Sequence, residues 1–516
     1  MKVACKNKVQ INNCTDVRIA SGIYGMFIEH LGRCIYDGLY VGEDSLIPNI
    51  RGIRADVVAA LREIKMPVVR WPGGCFASIY HWKDGIGPKE QRPVYTNNNM
   101  YHTVEDNQFG THEFLDFCEL IDAEPYICVN IESGTVREMV EWIEYITHPY
   151  DTPMSRLRRS NGRLAPWRLK YVGLGNENWG GGGNMRPEYY ADVARQYSTF
   201  AINYSGRDDL FKIFAGPHKH DYAWTDYMMN KSLPYQPDDH WGKNLMHGLS
   251  LHCYIYGGDY YRSSPDVAFS EEEYAHVLAG AFNYETLLQK HSEIMDENDP
   301  GKEIKIVFDE WGAWYAPAYD KKWTGTPFWN TWYLNQQATQ RDAVLAAVAF
   351  DGFNKHADRL QIATLSQSIN SIHPIILTEP NSPRMVCTPT YQVFKMYMPH
   401  RGARLMDVEI SAETYTCGET NIPAISASAS QKDGQLFVTL TNTHFSQEEY
   451  VQILLPVDAQ DVLRAEILES SGVDACNTFD QPDLVSPHEF TAFQRSENRI
   501  EVKMPPHSIA AFSIRL

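Results

Sequence analysis

Two short segments, Gly173-Leu174-Gly175-Asn176-Glu177-Asn178-Trp179 and Ile306-Val307-Phe308-Asp309-Glu310-Trp311-Gly312, decide how this chain is read. Each carries an apolar stretch onto a carboxylate, Glu177 in one and Glu310 in the other, with Trp and Gly close behind. A parallel strand that ends this way delivers its acid to the rim of a barrel, where such folds keep their chemistry. The two glutamates are far apart along the chain, so no local turn pairs them. Only a large closed fold brings them face to face.

On either side of these segments, β-rich runs alternate with amphipathic stretches. The strand candidates are 23–28, 67–71, 125–131, 170–174, 212–215, 249–255, 304–308 and 359–364. Helical periodicity follows at 54–65, 112–121, 136–146, 187–203, 223–229, 271–295, 331–354 and 390–398. An open doubly wound sheet alternates in the same way, but a count of eight favours a (β/α)8 barrel, assigned here to residues 18–398. Glu177 then follows the fourth strand and Glu310 the seventh. From 399 to 516 helical periodicity fades, and strand-like runs such as Gln435-Leu436-Phe437-Val438-Thr439-Leu440-Thr441 are separated by polar turns. This stretch reads as a β-sandwich domain of roughly 110 to 125 residues. Residues 1–17, with Lys8-Val9-Gln10-Ile11, are expected to add a strand to it.

Composition narrows the function. Of 516 residues, 43% are hydrophobic and 22% charged, the balance of a soluble globular protein. The net charge of −19 argues against nucleic acid or an anionic membrane as partner, since phosphates would be repelled. The first residues, Met1-Lys2-Val3-Ala4-Cys5-Lys6-Asn7-Lys8, lack the apolar core of a secretory signal, and no run is long and apolar enough to span a membrane. Ten cysteines are scattered without a Cys-x-x-Cys pair, which reads as reduced thiols in the cytoplasm. The 12 Trp and 30 Tyr offer flat faces on which sugar rings can stack, although most belong to the core.

A pair of acids at a barrel rim suits the cleavage of a glycosidic bond. One carboxyl group protonates the departing oxygen, and the other attacks or stabilises the anomeric carbon as positive charge develops. At Glu177, Asn176 is placed to donate to a sugar hydroxyl, while Trp179 and nearby backbone are expected to desolvate the acid and favour its protonated form. Glu310 is left as the nucleophile. A single strand-end Glu could equally be one half of a salt bridge, so it is the pair that carries the reading.

Further segments extend the pattern: Gly25-Met26-Phe27-Ile28-Glu29-His30-Leu31-Gly32-Arg33, Arg70-Trp71-Pro72-Gly73-Gly74-Cys75-Phe76, Phe109-Gly110-Thr111-His112-Glu113-Phe114, and the continuations of the two opening segments. In this order they resemble the α-L-arabinofuranosidases of glycoside hydrolase family 51 across the whole barrel. The resemblance implies a retaining double displacement, with Glu177 as acid/base and Glu310 as nucleophile; no metal or organic cofactor is expected, because two carboxylates suffice for the reaction and no complete ligand motif is visible. It further implies that Glu29, Cys75, Asn176, Tyr254, Trp314 and Gln367 bind or shape the sugar site, and that Arg70 and His252 support the carboxylates. The implied substrates are arabinose-containing oligosaccharides, and the implied assembly is a homo-oligomer, often a hexamer. After Cys75-Phe76-Ala77 the chain reads Ser78-Ile79-Tyr80, less polar than the family pattern, so the loop and the aglycone it prefers are expected to differ.

Blander readings stand beside these. Gly180-Gly181-Gly182-Gly183 lacks the Lys-Ser or Lys-Thr that phosphate cradling needs and reads as a rim loop beside Glu177. His218-Lys219-His220 has metal-like spacing but no third ligand in sequence reach. Cys75 could be packed wall or sugar partner. Trp311 and Trp314 each could be core or platform, with Trp314 the better platform, and Glu29 could pair with Arg33 instead of a sugar. As whole functions, a β-xylosidase, an endo-glucanase or a non-catalytic sugar-binding protein remain beside the arabinofuranosidase, although binding alone needs no acid/base pair.

Overall fold

The computed structural model describes residues 6–99, 103–206, 210–231, 245–258, 264–315, 334–456 and 459–516. Eight parallel strands, Gly25–Phe27, Val68–Trp71, Glu124–Val129, Tyr171–Leu174, Phe211–Phe214, Gly248–Tyr256, Lys305–Trp314 and Leu360–Leu365, close into a barrel in chain order. The last pairs with the first through Thr364 opposite Gly25 and Leu365 opposite Met26. Helices follow most of these strands, and some are opened by side-chain caps. Ser270 accepts from Glu273 N–H to open Glu271–Asn298, and three acidic residues in that first turn complement its dipole. Thr135 caps Val136–Thr147 in the same way.

The second domain is one ten-stranded sheet. The N-terminal strand Asn7–Arg18 lies at its centre, antiparallel to Arg404–Ser411 and parallel to Glu449–Leu454. The sheet folds over its own core: Phe493, on an edge strand, meets Phe512 from the far half with ring centroids 5.5 Å apart. Val9, Val438, Ile453, Val502 and Phe512 share that core. Helix Gln340–Lys355 seats the barrel on this sheet. Its Asp351 accepts from Tyr397, Ser426 and Thr439, and Asn354 donates to Ser428. Sandwiched this way, every residue from Gln340 to Asn354 is buried.

Several elements depart from the sequence reading. The expected first strand begins instead with a 3-10 turn, Ser21–Tyr24, and only Gly25–Phe27 pairs. A side chain at Gly25 would lie 2.4 Å from Val68 and 2.9 Å from Thr364, so strand closure at this point requires glycine. The helix expected from residue 331 starts at Gln340, and 331–333 lie outside the described residues. Helix Pro153–Ser160, opened by Thr152 and Pro153, was not anticipated. The largest departure is at the seventh strand. It does not stop at Phe308 but continues to Trp314, so Glu310 lies within the strand rather than after it. Gly248–Tyr256 pairs with it as far as Trp314, and this continued ladder carries the strand on.

Candidate active site

The C-terminal ends of the barrel strands gather the charged side chains. Arg70 comes from the second strand, Asn176 and Glu177 from the turn after the fourth, His252 and Tyr254 from the sixth, and Asp309 and Glu310 from the seventh. Glu29 follows the first strand and Gln367 the eighth. In a regular strand Asp309 and Glu310 would face opposite ways. Register shifts between Ser250 and His252 on one side, and between Phe308 and Trp311 on the other, break that alternation. Both acids consequently face the barrel interior, a re-aiming typical of a bulge.

Glu310 is clamped. Arg70 Nη1 donates to its Oε1 at 2.8 Å and Tyr254 Oη to its Oε2 at 2.9 Å. Burial raises its pKa, which the charges of His252 and Arg70 offset only in part. Arg70 is itself buried, donating to Asn176 Oδ1 at 2.5 Å and stacking over Phe27 at 4.4 Å. Tyr254 is held as a neutral donor, because burial and the Glu310 charge both push its hydroxyl far up.

Glu177 has a different setting. It follows Gly175 and adopts a left-handed backbone, φ 44°, with its carbonyl accepting from Gly180 and Gly182 N–H. His252 Nδ1 lies 2.9 Å from Glu177 Oε1 and 3.5 Å from Glu310 Oε2, while Nε2 lies 3.0 Å from Asp309 Oδ1. Burial opposes charge on this imidazole, but Glu310 and Asp309 outweigh it and push the pKa up to about 10. A ring in that state donates from both nitrogens. Burial also acts to raise Glu177, yet the His252 hydrogen bond and charge overcome it, and the pKa falls below the ordinary value. The expectation that Trp179 keeps Glu177 protonated is therefore overturned. The Trp179 ring stacks on His218, and its Nε1 donates to Gly216 O at 3.1 Å.

Around the pair, Glu29 Oε1 accepts from Gly74 and Phe76 N–H, both at 2.9 Å, and Oε2 from Gln367 Nε2 at 2.7 Å. Burial and the nearby Glu310 push Glu29 up to about 7. Arg33 pairs with Asp37 rather than Glu29. A side chain at Gly74 would sit 2.4 Å from Glu310 Oε1, so glycine is what lets this loop close against the acid. The Cys75 thiol lies 3.8 Å from Glu177 Oε2, and burial followed by the Glu177 charge keeps it a thiol. Trp314 packs edge-on against Tyr254 at 5.4 Å, whereas Trp311 is wholly core. Asn176 Nδ2 and Gln367 Oε1 are buried with no partner among the described residues. Both suit a sugar hydroxyl. Ser78 and Tyr80 are buried, and the Tyr80 ring packs on Trp71 and Phe76, so this departure from the family pattern forms supporting wall.

Among the described residues, one group of three has the spacing of metal ligands: Glu177, His252 and Glu310, with ligand atoms within 4.8 Å of one another. His252 instead bridges Glu177 through Nδ1 and Asp309 through Nε2, so both ring nitrogens are engaged by carboxylates. His218 stacks on Trp179 and His220 is exposed, so the two do not form a ligand set.

Two residues escaped sequence reasoning. Asp309 was read as part of a strand end, yet it binds Tyr126 Oη at 2.7 Å, Arg70 Nε at 3.3 Å and His252. Glu132, after the third strand, accepts from Asn178 Nδ2 at 2.6 Å, and burial pushes it up to about 7. The position of Glu132 beside a strand end was the only signal available for it.

A parallel barrel with two close carboxylates at the C-terminal strand ends, set among Arg, His and Tyr, defines a glycoside hydrolase of the barrel class. Residues 60–244 match the α-L-arabinofuranosidase 1 domain, and residues 309–508 match the α-L-arabinofuranosidase C-terminal domain. An intracellular exo-α-L-arabinofuranosidase of Bacteroides ovatus is 43% identical over 96% of this chain and 93% of its own. The crystal structure of a family 51 arabinofuranosidase from Xanthomonas axonopodis pv. citri superposes with a TM-score of 0.92 at 38% identity, covering 99% of this chain and 100% of that one. An arabinose complex of the Thermotoga maritima α-L-arabinofuranosidase gives 0.83 at 28% identity, over 99% and 100% of the two chains. The chain belongs to the α-L-arabinofuranosidases of glycoside hydrolase family 51.

Proposed function

We propose that this protein is a retaining, exo-acting α-L-arabinofuranosidase that releases terminal arabinofuranosyl residues from arabinan- or arabinoxylan-derived oligosaccharides. The observation that carries the retaining mechanism is the approach of Glu177 and Glu310 oxygens to within 4.8 Å. Retaining enzymes hold their carboxyl groups at about 5 to 5.5 Å, whereas inverting ones leave about 6.5 to 9.5 Å for a water.

In the first step a Glu310 oxygen attacks the anomeric carbon, the bond to the leaving oxygen breaks, and Glu177 delivers a proton to that oxygen. In the second, Glu177 takes a proton from water, the water oxygen bonds to the anomeric carbon, and the bond to Glu310 breaks. Arg70 and Tyr254 hold Glu310 in line for attack. His252, charged and 2.9 Å from Glu177 Oε1, fixes the orientation of that carboxyl group. Glu29, Gln367, Asn176 and Cys75 hold the furanose hydroxyls, and Trp314 forms a wall. The barrel spans 18–398, and the β domain spans 399–516 with the strand from 1–17. An intracellular location is supported by the name of the Bacteroides ovatus relative, and a homo-oligomer such as a hexamer by the family resemblance.

Rates on an aryl α-L-arabinofuranoside, an aryl β-D-xylopyranoside and a soluble glucan test the activity, with the first expected to dominate. Proton NMR of the first-formed arabinose should show the α anomer. Initial release of the β anomer would overturn the retaining mechanism, and light scattering of the purified protein checks the assembly.

A further inference from the structure

Glu177 stands on a turn with no regular hydrogen-bonded ladder of its own. Its left-handed backbone is unfavourable for a residue with a side chain. Something outside the turn must hold it. From above, Gly180 and Gly182 N–H bond the Glu177 carbonyl. From the neighbouring loop, Glu132 Oε1 receives the Asn178 side-chain amide at 2.6 Å and the Asn176 N–H at 3.3 Å. One carboxylate oxygen thus ties down the residue on each side of the acid/base. Asn178 Nδ2 also donates to Gly182 O at 2.9 Å, so the same amide closes the glycine loop.

Glu132 is well placed for this because its own loop is tightly held. Asn130 Oδ1 accepts from the N–H groups of Glu132, Ser133 and Gly134 at 3.2, 2.9 and 3.0 Å. Asn130 Nδ2 donates to Tyr80 O, and Ser133 Oγ to Ser78 O, anchoring the loop to the wall behind Cys75. Glu132 Oε2 accepts from Ile131 N–H at 2.9 Å. Between this clamp and the turn there is no slack: a side chain at Gly175 would meet Asn178 at 2.4 Å and Ile131 at 2.8 Å.

We propose that Glu132 is a positioning residue for the acid/base, holding Asn176 and Asn178 so that the Glu177 carboxyl stays aimed at the leaving-group oxygen. It touches no reacting atom. The inference rests on the assignment of Glu177 as acid/base, and hydrolysis of aryl arabinosides by the unmodified protein tests that activity separately.

A positioning role has a signature that a general loss of structure lacks. The value of kcat/KM reports steps through the first irreversible one, here the departure of the leaving group. A misplaced acid matters most when that group is poor. Glu132→Ala should therefore lower kcat/KM on an arabino-oligosaccharide by roughly 10- to 100-fold, the size of a lost hydrogen bond to a charged group. On a dinitrophenyl arabinofuranoside, whose leaving group needs no proton, the loss should be below about threefold by the same reasoning. Glu132→Gln keeps one acceptor oxygen and should recover most of the oligosaccharide activity. Asn178→Ala removes the donor of the same bond and should reproduce the steep leaving-group dependence, which keeps the test alive if Glu132→Ala fails to fold. An equal loss on both substrates, or no loss on either, would overturn the proposal.

Discussion

The two glutamates occupy opposite kinds of ground. Glu310 sits inside a strand paired on both sides, with its oxygens bound by Arg70 and Tyr254. Glu177 sits on a glycine-flanked turn, with its oxygens near one shared imidazole and one thiol. The contrast follows from their tasks. A nucleophile must meet one carbon along one line, so a rigid strand and a guanidinium fork serve it. An acid/base must give a proton to one oxygen and later take one from another, so its own charge must change, and its neighbours hold it by single contacts rather than by a guanidinium fork.

Replacing each glutamate in turn is the most forceful way to break this comparison. Glu310→Ala should lose activity on every substrate by at least about 10⁴-fold, since no leaving group compensates for a missing nucleophile. Glu177→Ala should lose activity on natural sugars, yet retain the first step on activated aryl arabinosides, where added azide should speed turnover of the trapped glycosyl-enzyme. Kinetics across a leaving-group series decides between them. If Glu310→Ala kept aryl turnover while Glu177→Ala lost it, the roles would have to be exchanged.

Arg70→Ala comes next. It leaves Glu310 and Asp309 buried without their guanidinium, and breaking such a pair costs about 3 to 5 kcal/mol, or roughly 10²- to 5 × 10³-fold in kcat/KM if the loss falls on the transition state. Because Arg70 lowers the pKa of both Glu310 and Glu177, its removal should also move the pH–rate profile to higher pH.

His252→Gln sharpens the contrast further. His252 lowers the pKa of both glutamates, so both should rise without it. The two limbs of the profile belong to the coupled Glu177–Glu310 pair, so the whole profile should shift to higher pH. The optimum rate should fall by about 10- to 100-fold, the worth of a charge-assisted hydrogen bond. A profile whose limbs stayed in place would show that His252 does not set the charge state of the pair. The smallest effect is expected for Gly74→Ala, whose new methyl would lie 2.4 Å from Glu310 Oε1. Crowding of this kind costs about 1 to 3 kcal/mol, and its weight on KM should exceed that on kcat if Glu310 gives way by rotating. Steady-state kinetics on an aryl arabinoside checks the split.

Much of the barrel was legible because its strands are buried on both faces and read as continuous apolar runs between capped amphipathic helices. Each of the eight overlaps its predicted run. Their ends were not legible, since an end depends on how long a neighbouring strand keeps pairing. The seventh runs on to Trp314 because Gly248–Tyr256 accompanies it. Site residues that stand in a distinctive run, such as Glu29, Arg70 or Asn176, were visible through resemblance to a family. Asp309 and Glu132 were not, because an Asp at a strand end and a Glu in Asn130-Ile131-Glu132-Ser133-Gly134 have nothing local to set them apart.

By itself the sequence determined the alternation, the count of eight, the β-rich second domain and the presence of two acids in or just after barrel strands, because these depend on periodicity and turn chemistry within a few residues. Only the tertiary structure decided which way the acids face and which charge state each one favours. A register shift turned Asp309 inward beside Glu310, and the closing of the barrel placed one imidazole between three carboxylates. The fields of those neighbours fall off over a few ångströms of space, and residues far apart in the chain come that close only when the barrel has closed.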